Sequence, residues 1–147
     1  SALLGLFPEE RMDVRYSVVA TRDSSAVDTD GHAIIALSNG AIAHLEWRIN
    51  CAYRNEIDIW GENNSVFTDK VFSKPANYIP AFRLRNTQGI ETIENGVAGD
   101  HFSLMLKDFL GSGADAGRSE IERGRIARRA EILDQIRRRA DTSEHRC

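Results

Sequence analysis

The sequence predicts an α+β domain: one open, mostly antiparallel sheet of six to seven strands, with helices packed on one face. Three observations carry that expectation. From Val14 to Ile93 the chain is a series of short β-branched and aromatic runs with two-residue alternation, separated by short turn-forming stretches. Near Asp100 the apolar spacing changes from two residues to that of a helix. Strands thus come first and helices last, the order of an α+β chain rather than of alternating βα units.

Taken in order, Ala2–Phe7 is short and apolar and stops at Pro8, so it is expected to be the last turn of a helix. Val14 to Thr21 is the first strand, with Val14, Tyr16 and Val18 on one face. The polar stretch from Asp23 to Gly31 is expected to be a loop ending in a turn dipeptide. His32–Ser38, Asn39-Gly40 and the run to Ile49 form a hairpin, with Asn39-Gly40 expected in a type I′ turn. On its second arm Ala41, Ala43, Leu45, Trp47 and Ile49 share an apolar face, and Ile42, His44, Glu46 and Arg48 the other. Arg54–Trp60, turned at Gly61-Glu62-Asn63-Asn64 into Ser65–Thr68, is the next pair. Ala81–Arg85 and Ile90–Ile93, joined at Thr87-Gln88-Gly89, are the last. A helix follows from an Asp100 cap to a Gly111 stop, with Phe102, Met105, Leu106 and Phe109 at helical spacing. A second helix runs from Arg118 to about residue 140, striped by Ile126, Ala130, Leu133, Ile136 and Ala140.

The chain has 147 residues, 28% charged and 41% hydrophobic. That is enough for one domain, 1–147, with a sheet-rich part over 1–117, a helix near 100–110, and an arginine-rich helix over 118–140. No apolar run approaches the length of a membrane span, and a reducing, cytoplasmic setting is expected. The two cysteines support no disulfide framework: Cys51 is expected in a strand, and Cys147 to be terminal and mobile. Nine arginines against six acids in 118–147 leave that segment at +3 and residues 1–117 at −6, within a net charge of −3. Because the acids are interspersed with the arginines, a solvated helix face is favoured over a nucleic-acid-binding tail.

The sequence holds no P-loop, no dinucleotide Gly-rich fingerprint, no H-E-x-x-H and no G-x-S-x-G. His32, His44 and His101 lack metal-ligand spacing, so no metal site is expected. Asp100-His101 could pair as acid and base, yet capping by Asp100 explains it without further assumptions. Tyr53-Arg54-Asn55 is a different matter. Three large hydrogen-bonding side chains enter a strand where a plain turn would use Gly, Asn or Asp, and Arg54 offers a planar fork for phosphate or carboxylate. With Lys70 and Lys74 nearby in sequence, the set suits an anionic or polyhydroxylated ligand. An exposed strand entry at a subunit interface weighs equally.

The stretch YRNEIDIWGENNSVFTDKVFSKP (53–75), followed by YIPAFRL (78–84) and DHFSLMLKDF (100–109), resembles the C-terminal domain of the Gfo/Idh/MocA oxidoreductases. The likeness runs from about residue 14 to 140 and is nearest the branch acting on keto-sugars attached to nucleotides. It departs at the turn Gly61-Glu62-Asn63-Asn64, where relatives often carry a second Gly; Asn tolerates the left-handed conformation. The resemblance implies an NAD(P)-binding Rossmann domain, an Glu-Lys-Pro lysine and a histidine that this sequence does not contain. It also implies a fragment of a larger enzyme, with no catalytic residue and no cofactor site here.

On that resemblance the chain is expected to shape a sugar or sugar-nucleotide pocket through Tyr53, Arg54 and Asn55, with Lys70 and Lys74 secondary. It is also expected to join subunits of a homo-oligomer through the His44, Glu46 and Arg48 face. NAD or NADP would belong to the parent oxidoreductase. The competing expectation is a non-catalytic dimerisation module with no small-molecule ligand.

Overall fold

The computed structural model describes residues 2–21, 27–113 and 115–144, with no side chain described at 112 or beyond 140. The α+β class holds, and the expected seven strands are present, every pairing antiparallel. They are hydrogen-bonded in two ladders, β1-β2-β3 and β4-β5-β6-β7. The chain divides into two compact units: Ser1–Cys51 with Asp115–Cys147, and Ala52–Ala114.

The first unit contains α1 (Ala2–Leu6), β1 (Met12–Ala20), β2 (Asp30–Leu37), β3 (Ile42–Arg48) and α3 (Ala116–Glu144). Its core joins Val14 of β1, Ala33, Ile35 and Leu37 of β2, and Ile136 of α3. Leu3, Phe7, Trp47 and Ile132 pack around that cluster. The expectation that Val14, Tyr16 and Val18 share a face fails at a β-bulge. Val14 pairs with Ile35 but Tyr16 with Ile34, so Arg15 is an extra residue and the alternation resets. Val14 and Ser17 therefore face the helix, and Tyr16 and Val18 face away.

That reset lets β1 grip α3. The Ser17 hydroxyl, fully buried, donates to the Ile136 carbonyl at 2.6 Å. The Arg139 guanidinium donates through Nε and Nη2 to the Val14 carbonyl at 3.1 and 2.9 Å. Arg128 donates to the carbonyls of Pro8 and Glu10. A buried bond such as that of Ser17 adds about 1 kcal/mol, and more is lost when one partner is removed alone. Of the expected stripe, Ile136 and Ala140 are buried on the inward face of α3, where Ile132 and the reaching arginines Arg128 and Arg139 take the remaining places. Ile126, Ala130 and Leu133 are exposed. The helix also starts two residues earlier than Arg118, because Asp115 caps it: its Oδ1 accepts from Arg118 N at 3.1 Å.

Turn chemistry departs from expectation at several places. The β2–β3 loop spans Ser38, Asn39 and Gly40, with Gly40 N donating to Leu37 O and Leu37 N to Ala41 O. Only Gly40 takes positive φ (90°); Asn39 stays negative, its Oδ1 accepting from Ala41 N at 3.0 Å. This is a three-residue type I turn with a glycine bulge rather than type I′. Asp30-Gly31, expected as a turn, opens β2. A Cβ at Gly31 would lie 1.9 Å from the Trp47 ring, so the missing side chain is what seats the indole. Residues 23–26 of the expected loop, and Cys147, lie outside the described residues. Cys51, expected in a strand, is exposed in the link after β3, with a free thiol.

The second unit holds β4 (Glu56–Trp60), β5 (Asn64–Asp69), β6 (Ala81–Asn86), β7 (Glu91–Asn95) and α2 (His101–Gly113). Its β6–β7 turn repeats the three-residue form, with Gly89 at φ 79° and Asn86 Oδ1 accepting from Gln88 N and Ile90 N. Neither Asn63 nor Asn64 uses the left-handed conformation in the β4–β5 turn. Helix α2 runs past Gly111 to Gly113, and Phe102, Met105, Leu106 and Phe109 are exposed on it.

Candidate functional site

The candidate residues of the second unit meet on the loop between β5 and β6. Asn55, one residue before β4, is its fastener. Its Oδ1 accepts from Phe72 N at 2.9 Å, and its Nδ2 donates to the Tyr53 hydroxyl at 3.0 Å and to the Ser73 carbonyl at 3.4 Å. Both functions of the amide are used, which explains why neither Asp nor a turn residue would serve in that place. Tyr53, 74% exposed, sets its hydroxyl 3.5 Å from the same Ser73 carbonyl. Lys74 follows directly, so the grip on Ser73 holds the backbone one residue before that ammonium.

Arg54 turns elsewhere. Its Nε lies 2.6 Å from Glu56 Oε1, an exposed pair worth little in stability but enough to offset the guanidinium charge. The sequence thus brings Tyr53, Asn55 and the 72–74 backbone together and leaves Arg54 beside a carboxylate. Lys70 stands at the other end of the loop, its Nζ 4.3 Å from the centre of the Tyr78 ring. Tyr78 in turn donates to Asp69 Oδ1 at 2.6 Å. That bond raises the phenol pKa above its ordinary value, since ionising it would leave two negative groups in contact. Tyr78 and Asp69 were not among the candidates; the only sequence cue to them was a tyrosine eight residues after a lysine.

Asp100 acts as a cap, as preferred. Its Oδ1 accepts from Phe102 N at 3.1 Å and Ser103 N at 3.4 Å, and Ser103 Oγ donates to its Oδ2 at 2.6 Å. The Ser103 hydroxyl first, and the helix amides after it, hold this carboxyl below the usual carboxylate range. His101 tilts its ring against Phe102 at 4.2 Å rather than toward a reacting group.

In the first unit, the outward face of the three-stranded sheet carries His44, Glu46 and Arg48. Glu46 and Arg48 pair within their own strand at 3.4 Å. His44 stacks on His32 at 6.2 Å, and Tyr16 meets His32 edge-on at 6.1 Å, a row of rings across three strands. Among the described residues no group of three His, Cys, Asp or Glu is placed to hold a metal ion. No described helix is long and apolar enough to cross a membrane. All strands are antiparallel and none leads through a Gly-rich turn into a helix, so the described residues do not fit a dinucleotide. Arg123, Arg125 and Arg138 of α3 pair with acids about one turn away, Glu120, Glu122 and Asp134, as on a solvated face, while Arg128 and Arg139 reach the carbonyls described above.

No protein-family model matches the chain. Among curated proteins it is similar to the dTDP-3,4-didehydro-2,6-dideoxy-α-D-glucose 3-reductase of Streptomyces violaceoruber. Identity is 28% over 149 residues, covering 95% of this chain and 42% of the relative. The enzyme of the same name from Saccharopolyspora spinosa is 26% identical over 100 residues, covering 68% of this chain and 27% of the relative. Among solved structures the chain is similar to KijD10, a 3-ketoreductase from Actinomadura kijaniata, in complex with NADP and TDP-benzene. There the TM-score is 0.79 at 22% identity, over 93% of this chain and 42% of that one. The open conformation of KijD10 gives 0.78 at 23% identity. The chain spans less than half the length of the curated relatives it matches. The resemblance first read from residues 53–109, to the sugar-nucleotide ketoreductase branch of Gfo/Idh/MocA C-terminal domains, is borne out by these relatives.

Proposed function

We propose that this chain is the substrate-side and subunit-contact part of an NADP-dependent ketoreductase acting on a nucleotide-linked sugar. The observation that carries the reading is the agreement of sequence and fold along nearly the whole chain. The similarity to a dTDP-sugar 3-reductase covers 95% of it, and the KijD10 fold covers 93%. In such an enzyme hydride passes between nicotinamide and a ring carbon, and that chemistry belongs to the cofactor. What these residues do is bind and orient. Tyr53, Asn55 and the backbone they fasten form one rigid edge, and Lys70 and Lys74 bring positive charge to a phosphorylated sugar. A cytoplasmic location accompanies this reading.

Titration of the isotope-labelled chain with dTDP, followed by NMR, tests it. Shifts are expected at 53–55 and 70–74, with Arg54→Ala weakening binding less than twofold because Glu56 already offsets that charge. Shifts confined to other parts of the chain would refute the pocket.

The subunit role is proposed for the outward face of β1–β3. Tyr16, Val18 and Ile42 are exposed there beside His44, Glu46 and Arg48, an amphipathic patch of the kind that a second sheet covers. Glu46→Arg breaks the pairing with Arg48 and is expected to lower the association state in sedimentation. An unchanged association state would remove support for this face.

A further inference from the structure

A cluster that the sequence did not single out sits where β5 ends. Lys70 leaves the strand at φ 51°, a left-handed conformation that a residue with a Cβ rarely adopts. No glycine relieves it, so the surrounding contacts must hold it. Tyr78 folds back over it, aided by a bond from Tyr78 N to Pro75 O at 3.0 Å. The Tyr78 ring lies 4.3 Å beneath the Lys70 ammonium, while its hydroxyl donates to Asp69 at 2.6 Å.

The arrangement separates neighbours that would otherwise neutralise each other. Asp69 and Lys70 are adjacent, yet the carboxylate is taken by the phenol, and among the described residues no carboxylate pairs with Lys70. A ring face holds an exposed ammonium only weakly. That is enough to fix its position and too little to quench its charge. Asn55 fastens the same loop at Phe72 and Ser73, so the segment between Lys70 and Lys74 is held from two sides.

We infer that Lys70 and Lys74 form a phosphate-binding subsite, and that Tyr78 is its positioning residue, seating the Lys70 ammonium on its ring and keeping Asp69 away from it. The identification of the anion as the diphosphate of a nucleotide sugar rests on the proposed function; the anion site itself does not.

The test titrates the labelled chain with inorganic pyrophosphate and, separately, with dTDP at low ionic strength, reading the Lys70 and Lys74 amides. Lys70→Gln is expected to weaken pyrophosphate binding at least tenfold. Tyr78→Phe keeps the ring but releases Asp69, and a three- to tenfold loss is expected. Adding Asp69→Asn to Tyr78→Phe should restore most of it, a rescue that a purely structural tyrosine would not show. Wild-type affinity in Tyr78→Phe, or a loss that Asp69→Asn does not repair, overturns the role of Tyr78. No pyrophosphate response at Lys70 overturns the subsite, whatever dTDP does. Pyrophosphate binding through Lys70 with dTDP no tighter supports the subsite and counts against the sugar-nucleotide reading instead.

Discussion

The two units are built from the same materials and put them to different ends. Each has an antiparallel sheet closed by a three-residue turn with a left-handed glycine, Gly40 in one and Gly89 in the other. In the first unit a helix covers the sheet, and Val14, Ala33, Ile35, Leu37 and Ile136 are buried between them. In the second, no described residue is buried, and Trp60 is 86% exposed. Local pairing makes a sheet, whereas a core needs a covering element with a matched apolar stripe. The first unit is therefore the stable frame. The second keeps its polar side chains, Tyr53, Asn55, Lys70 and Tyr78 among them, available on a fastened loop.

That contrast can be broken at several points. Ile136→Ala removes the one helix side chain that the buried cluster contains among the described residues and is expected to cost about 3 kcal/mol in urea unfolding. Gly31→Ala comes next. Its Cβ would overlap the Trp47 ring, and expelling the indole is expected to cost about 2 kcal/mol. Leu84→Ala, in the second unit, is the matching deletion where no core exists, and less than about 1 kcal/mol is expected. A loss there as large as that of Ile136→Ala would contradict the division into frame and site.

The smallest effects are in pH. The Asp100 carboxyl titrates below its unfolded value, so the stability it lends α2 is full above the ordinary carboxylate pKa. That stability is lost as pH falls through the lowered folded value. Tyr78 has the opposite sign: its contribution is present below the ordinary phenol pKa and is lost as pH rises through the raised folded value. Amide exchange in α2 and in the 70–78 loop should quicken in acid and in alkali respectively. Asp100→Asn should flatten the first response and Tyr78→Phe the second.

Much of the fold was legible because strands and turns are written locally. Alternation located all seven strands, and Asp100 was read correctly as a cap. The failures came where a distant contact decides. No periodicity reports the extra Arg15, yet that bulge turns Ser17 toward α3 and Tyr16 away from it. The stripe on α3 held at Ile136 and Ala140 but not at Ile126, Ala130 and Leu133, because Arg128 and Arg139 face inward and reach backbone carbonyls more than 110 residues away in sequence. Residue type singled out Tyr53, Asn55 and Lys70, which the structure places on or against one loop. The pairing of Arg54 with Glu56, and the fold-back of Tyr78 onto Asp69 and Lys70, depend on where a loop closes.

As proposed above, these residues serve a nucleotide-sugar ketoreductase. The most direct measurement is NADPH oxidation by the complete product of the reading frame that contains this sequence, supplied with a dTDP-linked 3-keto-deoxysugar. Steady oxidation that depends on the sugar nucleotide, and that falls in Asn55→Ala mainly through a raised KM, is the predicted result. A complete product that consumes no NADPH with any nucleotide-linked keto-sugar would contradict the account.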